Sequence, residues 1–358
     1  MLALLLLLTQ GSDTTVADTT RTRVRFGAFV DTYYAWDIGE PADIDRSFTT
    51  QPARHNEFNV NLAFVEAAVS GDRIRGRLAL QAGTSVQANY ASEPSIGEVS
   101  GAELAQLIQE GFAGVRVARG LWIDAGIYFS HIGQESWISR DNPTYTRSLI
   151  ADYSPYYQSG VRATWEPSRT VTLQAHLLNG WQNISESNGD KALGARVDWR
   201  VTPVLILAGA LFVGNEEPDS LPSRTRVFSQ AMLRWAPGAG WDLYGTVDVG
   251  VQRVPTGGSD RWWGFSAIAT RTLSPAVRLA GRVERLADPE QVVVVTGTGA
   301  GFETWSASLG VDVRLERRVL WRNELRGYRS TEDVWPSDGV PASSATSLLL
   351  VTSLALSL

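Results

Sequence analysis

The chain has 358 residues, 44% of them hydrophobic and 20% charged, with 33 glycines, 15 prolines and no cysteine. The missing cysteine excludes a disulfide scaffold, thiolate metal sites and thiol catalysis. The formal net charge of -6 argues against a general nucleic-acid binder, which needs a basic surface.

In chain order, Met1 to Leu8 form an apolar run followed by small and polar residues, which predicts a secretory signal peptide over 1–17. The remainder, 18–358, reads as one domain. No later stretch approaches the roughly 20 apolar residues of a membrane-spanning helix. Strands of about 9–11 residues can span lipid when they close into a barrel, so a membrane protein of that kind stays open.

From Val24 onward the dominant period is 2. In 302–315, Trp305, Ala307, Leu309, Val311 and Val313 alternate with Ser306, Ser308, Gly310, Asp312 and Arg314. Successive strand side chains point to opposite faces, so such a segment has one greasy and one polar side. Sixteen strands are predicted: 23–37, 56–69, 73–90, 106–118, 121–130, 156–166, 170–181, 191–201, 204–214, 225–236, 241–253, 262–273, 277–287, 302–315, 318–330 and 344–358. A weak helical period shows only around 102–109.

Short connections alternate strictly with long ones. Turns of a few residues, such as 70–72, 119–120 and 202–203, fall at one end of the strands. Long loops, such as 38–55, 91–105, 131–155 and 331–343, fall at the other. That pattern is the signature of an all-β, transmembrane, antiparallel up-and-down barrel with short periplasmic turns and long external loops. A lumen of about sixteen strands is too wide for wall side chains to fill, so the charged face is expected to line water and the apolar face to meet lipid.

The predicted lumen face holds Arg75, Arg77, Arg116, Arg162, Arg196, Arg200, Arg226, Arg234, Arg278, Arg282, Arg314, Arg322 and Arg326. Against these thirteen arginines stand nine acids: Asp31, Glu57, Asp124, Asp198, Asp242, Asp248, Glu284, Asp312 and Glu324. The excess predicts a weak preference for anions. Glu66 and Arg271 break the pattern and are expected at a membrane boundary or a bulge. Trp165, Trp199, Trp235, Trp241 and Trp321 lie beside short turns, and Trp36, Trp181, Trp262, Trp263, Trp305 and Trp335 lie toward long loops. These positions predict two aromatic girdles at the headgroup levels.

Several segments resemble a known family. Arg54-His55-Asn56-Glu57-Phe58-Asn59, the run from Asp124 to Ser136, Asp141-Asn142-Pro143-Thr144-Tyr145-Thr146-Arg147-Ser148, Ser154-Pro155-Tyr156-Tyr157 and Leu178 to Asn183 together are similar to the OmpL-like β-barrel porins. The clear likeness covers about residues 24–185. It implies a Gram-negative outer-membrane pore for passive diffusion of small hydrophilic solutes or ions. Its implied partners are the lipid bilayer and the barrel assembly machinery, with a homotrimer by analogy and no nucleic acid. Gln134 departs from the pattern, where an aromatic is expected, and so does Leu358, where outer-membrane barrels typically carry phenylalanine.

No cofactor, metal set or catalytic centre is indicated. His55, His131 and His176 have no ligand spacing. Ser130 or Ser136, His131 and Asp141 could be drawn as a triad, the alternative being a polar network that anchors a loop. The remaining alternatives are a substrate-specific channel, a phospholipase-like enzyme and a plugged structural or adhesion barrel. Loop 131–155 is the longest connection and carries Glu135, Arg140, Asp141, Arg147 and Asp152 among aromatic residues. A loop of this length is usually functional. By analogy with porins of similar strand number, whose third external loop narrows the channel, this one is expected to fold inward as a constriction, the alternative being a plain external loop packed on its neighbours.

Overall fold

The computed structural model describes residues 22–358. The proposed signal peptide lies outside the described residues. The strands in chain order are β1 (Arg23–Asp37), β2 (Phe58–Ser70), β3 (Ile74–Ala82), β4 (Ile108–Ala118), β5 (Leu121–Phe129), β6 (Tyr157–Trp165), β7 (Val171–Leu178), β8 (Ala192–Thr202) and β9 (Leu205–Asn215). They continue as β10 (Thr225–Gly238), β11 (Trp241–Arg253), β12 (Ser259–Thr272), β13 (Val277–Asp288), β14 (Phe302–Glu316), β15 (Val319–Ser330), β16 (Trp335–Ser337), β17 (Val340–Ser344) and β18 (Thr346–Ser357). Sixteen of them form one closed antiparallel barrel in sequence order, sealed where β1 pairs with β18 from Phe29↔Ser357 to Asp37↔Leu349. Closure leaves no unpaired sheet edge, which is the condition for β-structure in lipid. β16 and β17 form a separate hairpin inside the last long loop, a feature absent from the sixteen-strand pattern.

Residues 84–90 were expected to extend a strand, but they form a short helix, α1 (Thr84–Tyr90). Gly83 ends the strand with φ +142°, where an added Cβ would lie 2.3 Å from the Asn61 carbonyl oxygen. Val86 and Tyr90, one helical turn apart, then bury themselves against Tyr157 and Trp137. The expected helix around 102–109 is reduced to α2 (Ala102–Ala105). The long connection after β5 contains a 3₁₀ turn at Ser139–Asp141 and α3 (Leu149–Asp152).

The faces divide as alternation predicts. Trp165, Trp199, Trp235, Trp241, Trp305 and Trp321 all stand outward and are 41–48% exposed, at the two ends of the strands. Three other tryptophans correct the girdle: Trp262 and Trp335 are buried inside, and Trp181 packs inward against Phe212 and Phe228. Glu66 is also corrected. The β1–β2 register shifts between Asp31 and Thr32, and beyond that bulge Glu66 faces inward, bonded to Arg77 at 2.6 Å. Arg271 does lie outward at the turn end, 5.1 Å over the Trp241 ring.

The inside of the barrel is not an open water column throughout. Phe212, Phe228, Trp262, Leu286 and Phe302 project inward near the loop ends of their strands. They meet Ile132, Tyr145, Leu149 and Ile150 from the long connection after β5, so this half of the interior is packed. A wall too wide to fill its own lumen is filled by its loops.

Candidate functional site: the inner wall and the inserted loop

The connection between β5 and β6 crosses the interior and is fastened to several strands. Near its start, His131 bonds to Gln158 (2.7 Å) and to the Leu211 carbonyl (2.8 Å), and the Gly133 amide donates to Gln230 (2.6 Å). Gln134, the odd residue by family pattern, donates to the Gly245 carbonyl and to the Thr246 hydroxyl at 3.0 and 2.6 Å. An amide there ties the loop to β11 in a way an aromatic ring could not. Farther along, Ser139 donates to Asp31 at 2.7 Å, and its carbonyl accepts from Arg322. Thr146 donates through both its amide and its hydroxyl to Glu324 (2.7 and 2.9 Å), and the Leu149 amide donates to Glu284 (2.6 Å).

The inner wall facing the loop is a buried ion lattice. Arg282 contacts Glu284 and Glu324, both at 3.0 Å, and Arg326 contacts Glu284 at 2.7 Å, with these side chains at most 1% exposed. Arg278 and Arg322 share Asp312 at 2.5 and 2.8 Å. The guanidinium groups also reach loop carbonyls: Arg278 donates to Asn142, Arg282 to Thr146 and Arg326 to Arg147. Enclosed charges are costly unless paired, and the loop backbone supplies further acceptors, although Arg282 Nε makes no hydrogen bond and Arg278 stays partly exposed.

The rest of the wall, from β2 round to β11, carries a second set of pairs. Arg75 and Arg162 grip Asp124 at 2.6 and 2.9 Å, and Arg77 bridges Glu66 and Glu110. Arg196 pairs with Asp198 at 2.8 Å while donating to the carbonyls of His131 and Gly133, and Arg234 pairs with Asp242 at 2.7 Å. Asp248 lies buried and accepts from Gln230 at 2.7 Å. Of the thirteen arginines assigned to the lumen, Arg116, Arg200, Arg226 and Arg314 take no part in an ion pair among the described residues. Arg226 bonds Gln252, whereas Arg116, Arg200 and Arg314 lie toward the turn end of their strands. Glu66 and Glu110 were missing from the acidic tally. A bulge hides the first from simple alternation, whereas the second shares the face of Phe112, Gly114 and Arg116 and was legible from alternation alone.

The loop residues singled out from the sequence are spread along its path. Glu135 accepts from the amide and hydroxyl of Ser148. Arg140 lies 5.3 Å over the Phe29 ring and 3.4 Å from Asp141, in a polar recess of about 300 Å³ shared with Arg278, Asp312 and Arg314. Arg147 is buried 3.6 Å over Tyr156. Asp152 accepts from Thr49, Thr50 and Tyr156, and burial holds its carboxyl above the ordinary range despite Arg147 and Arg326 nearby. No serine engages His131, since both its ring nitrogens are taken by Gln158 and Leu211. The drawn triad is therefore a loop anchor. Among the described residues no cluster of potential ligands could hold a metal ion.

A family model described as "Putative beta-barrel porin-2, OmpL-like" matches residues 23–358. The chain belongs to the OmpL-like porins. The match extends the resemblance from the first half of the sequence to the whole barrel. No curated protein sequence matches this OmpL-like porin. Solved structures do. An anion-selective porin from Comamonas acidovorans aligns at 9% identity and TM-score 0.63, covering 94% of this chain and 100% of that one. The outer membrane channel DcaP of Acinetobacter baumannii aligns at 12% and 0.64, covering 94% and 97%. A trimer form of OmpT of Vibrio cholerae aligns at 10% and 0.61, covering 94% and 99%. At these identities the likeness is one of fold. With the family, it makes this an outer-membrane channel-type barrel.

Proposed function

We propose that this porin passes small hydrophilic solutes or ions by passive diffusion, with loop 131–155 setting its narrowest section. One observation carries the reading: Arg278, Arg282, Arg322 and Arg326 hold the backbone of that loop against the inner wall. A loop so placed obstructs the lumen directly, and the solvent left to it runs past the paired arginines and carboxylates of β3–β8. Pairing cancels most of the arginine excess, so selectivity falls to Arg116, Arg200 and Arg314 near the turn-side mouth. A weak anion preference follows, in the same sense as that of the anion-selective Comamonas porin. Residues 1–17 would direct export, the barrel assembly machinery would insert the chain, and a homotrimer fits the OmpT trimer form.

The packed loop-side interior favours a second reading, a barrel occluded until the loops move. Liposome swelling with sugars of increasing size separates the two. Uptake of small sugars by the native protein supports the diffusion channel, and uptake only after removal of 135–150 supports the occluded barrel.

A further inference from the structure

The outward face of a membrane barrel should be free of charge, and over most of this one it is. Among the described residues, outward positions of β1–β10 and of β18 carry no charge. On β11–β15, apart from Glu316 in the bulged turn that ends β14, they carry six charged residues: Arg253, Arg261, Arg271, Arg285, Glu303 and Arg329. All but Arg271 lie at the loop end. Pairing places Phe265, Arg285, Trp305 and Arg329 side by side in one row, with Trp263 and Glu303 in the row above and Arg261 above that. Arg285 is sandwiched 5.3 Å from both Trp263 and Trp305 and bonds Glu303 at 3.0 Å. The aromatic level marks the headgroup boundary, so these arginines stand where lipid phosphates lie.

Directly below that row the surface is hollow. Ala267, Val283, Ala307 and Gly327 form the next row, Ala269, Gly281 and Leu309 the one beneath, and together they floor an apolar groove of about 690 Å³. Small side chains at facing positions make the depression. A basic row over an apolar groove matches a molecule with an anionic head and hydrocarbon tails.

We propose that the outward face of β12–β15 binds a lipid of the loop-side leaflet that carries more than one phosphate, its phosphate groups spread over Arg261, Arg285 and Arg329 and a chain in the groove beneath. A second copy of the barrel fits less well. Among the described residues Glu303 is the only outward carboxylate at the loop end of the barrel strands, and it is already bonded to Arg285, so a neighbouring copy has no free carboxylate at that level for the other arginines. Phosphate groups can neutralise them, through charge-assisted bonds.

The test uses the full barrel in detergent and native mass spectrometry, with bisphosphorylated lipid A, dephosphorylated lipid A and inorganic phosphate as probes. The native protein should retain bisphosphorylated lipid A in preference to the dephosphorylated form. The variant R261A/R285A/R329A should lose affinity by about fivefold per arginine. Gly281→Leu, which fills the groove and leaves the arginines in place, should also weaken retention. Heat-modifiable migration on gels confirms that each variant is folded. Equal retention of both lipids, undiminished binding by the triple variant, or inorganic phosphate binding as tightly as the lipid would overturn the proposal. So would a triple variant that changes only the oligomeric state, since that would make the patch a contact between copies.

Discussion

At the residue scale, the inner wall turns on buried arginines whose partners come from both strand and loop. Arg282 is fully enclosed and joins Glu284, Glu324, Thr144 and Thr146. Replacing it with methionine keeps roughly the volume, leaves Glu324 without its cation and leaves Glu284 with Arg326 alone. Arg282→Met should cost about 3–5 kcal/mol, read as a lower urea midpoint, and adding Glu324→Gln should recover part of that loss. Asp152 gives a pH dependence. Its folded carboxyl is raised by burial, so the folded state binds the proton more readily than the unfolded chain. Docking of 149–153 therefore gains stability as pH falls toward the ordinary aspartate range, and loses it as pH rises through the raised value. The protection of 149–153 against hydrogen exchange, taken relative to the intrinsic rate at each pH, should rise on mild acidification in the native protein and lose that response in Asp152→Asn. An identical response in both would remove the assignment. Few of these partners were legible beforehand, because ion pairing depends on how far a loop reaches.

At the element scale, legibility was high. Charge and hydropathy alternate with so few exceptions that strand bounds, turn positions and the direction of most side chains follow from the sequence. Where the pattern misled, local geometry explains it. Val86, Ala88 and Tyr90 satisfy period 2, but Val86 and Tyr90 are also one helical turn apart, and Gly83 breaks the strand just before them. Glu66 looked misplaced because the bulge opposite Asp31/Thr32 reverses the alternation. The facing assignment makes a direct prediction. Leu309 is 71% exposed on the outward face near the middle of β14. Leu309→Arg should destabilise the folded barrel by about 2–4 kcal/mol in a bilayer, measured by reversible urea unfolding in lipid vesicles. The same substitution costing nothing in lipid would place that face in water.

At the scale of the whole molecule, the barrel was legible and its contents were not. Alternation says which face a side chain takes, and says nothing of what a long loop does once inside. The inward apolar residues Phe212, Phe228, Trp262 and Phe302 were a signal, since a wet wall has no use for them at strand ends. They mark where the loop packs. The charge tally was also incomplete, because Glu66 and Glu110 join the lumen acids and nine of the thirteen arginines are paired. Reversal potentials in a salt gradient should accordingly show only a slight anion preference, and one that falls on replacing Arg116, Arg200 and Arg314 with glutamine. A preference unmoved by those three would place the selective charges elsewhere. The decisive comparison is the single-channel conductance of the native protein and of a variant lacking 135–150, recorded in the same planar bilayer. The loop-constricted barrel predicts a severalfold larger conductance in the variant, and equal conductance in the two would contradict it.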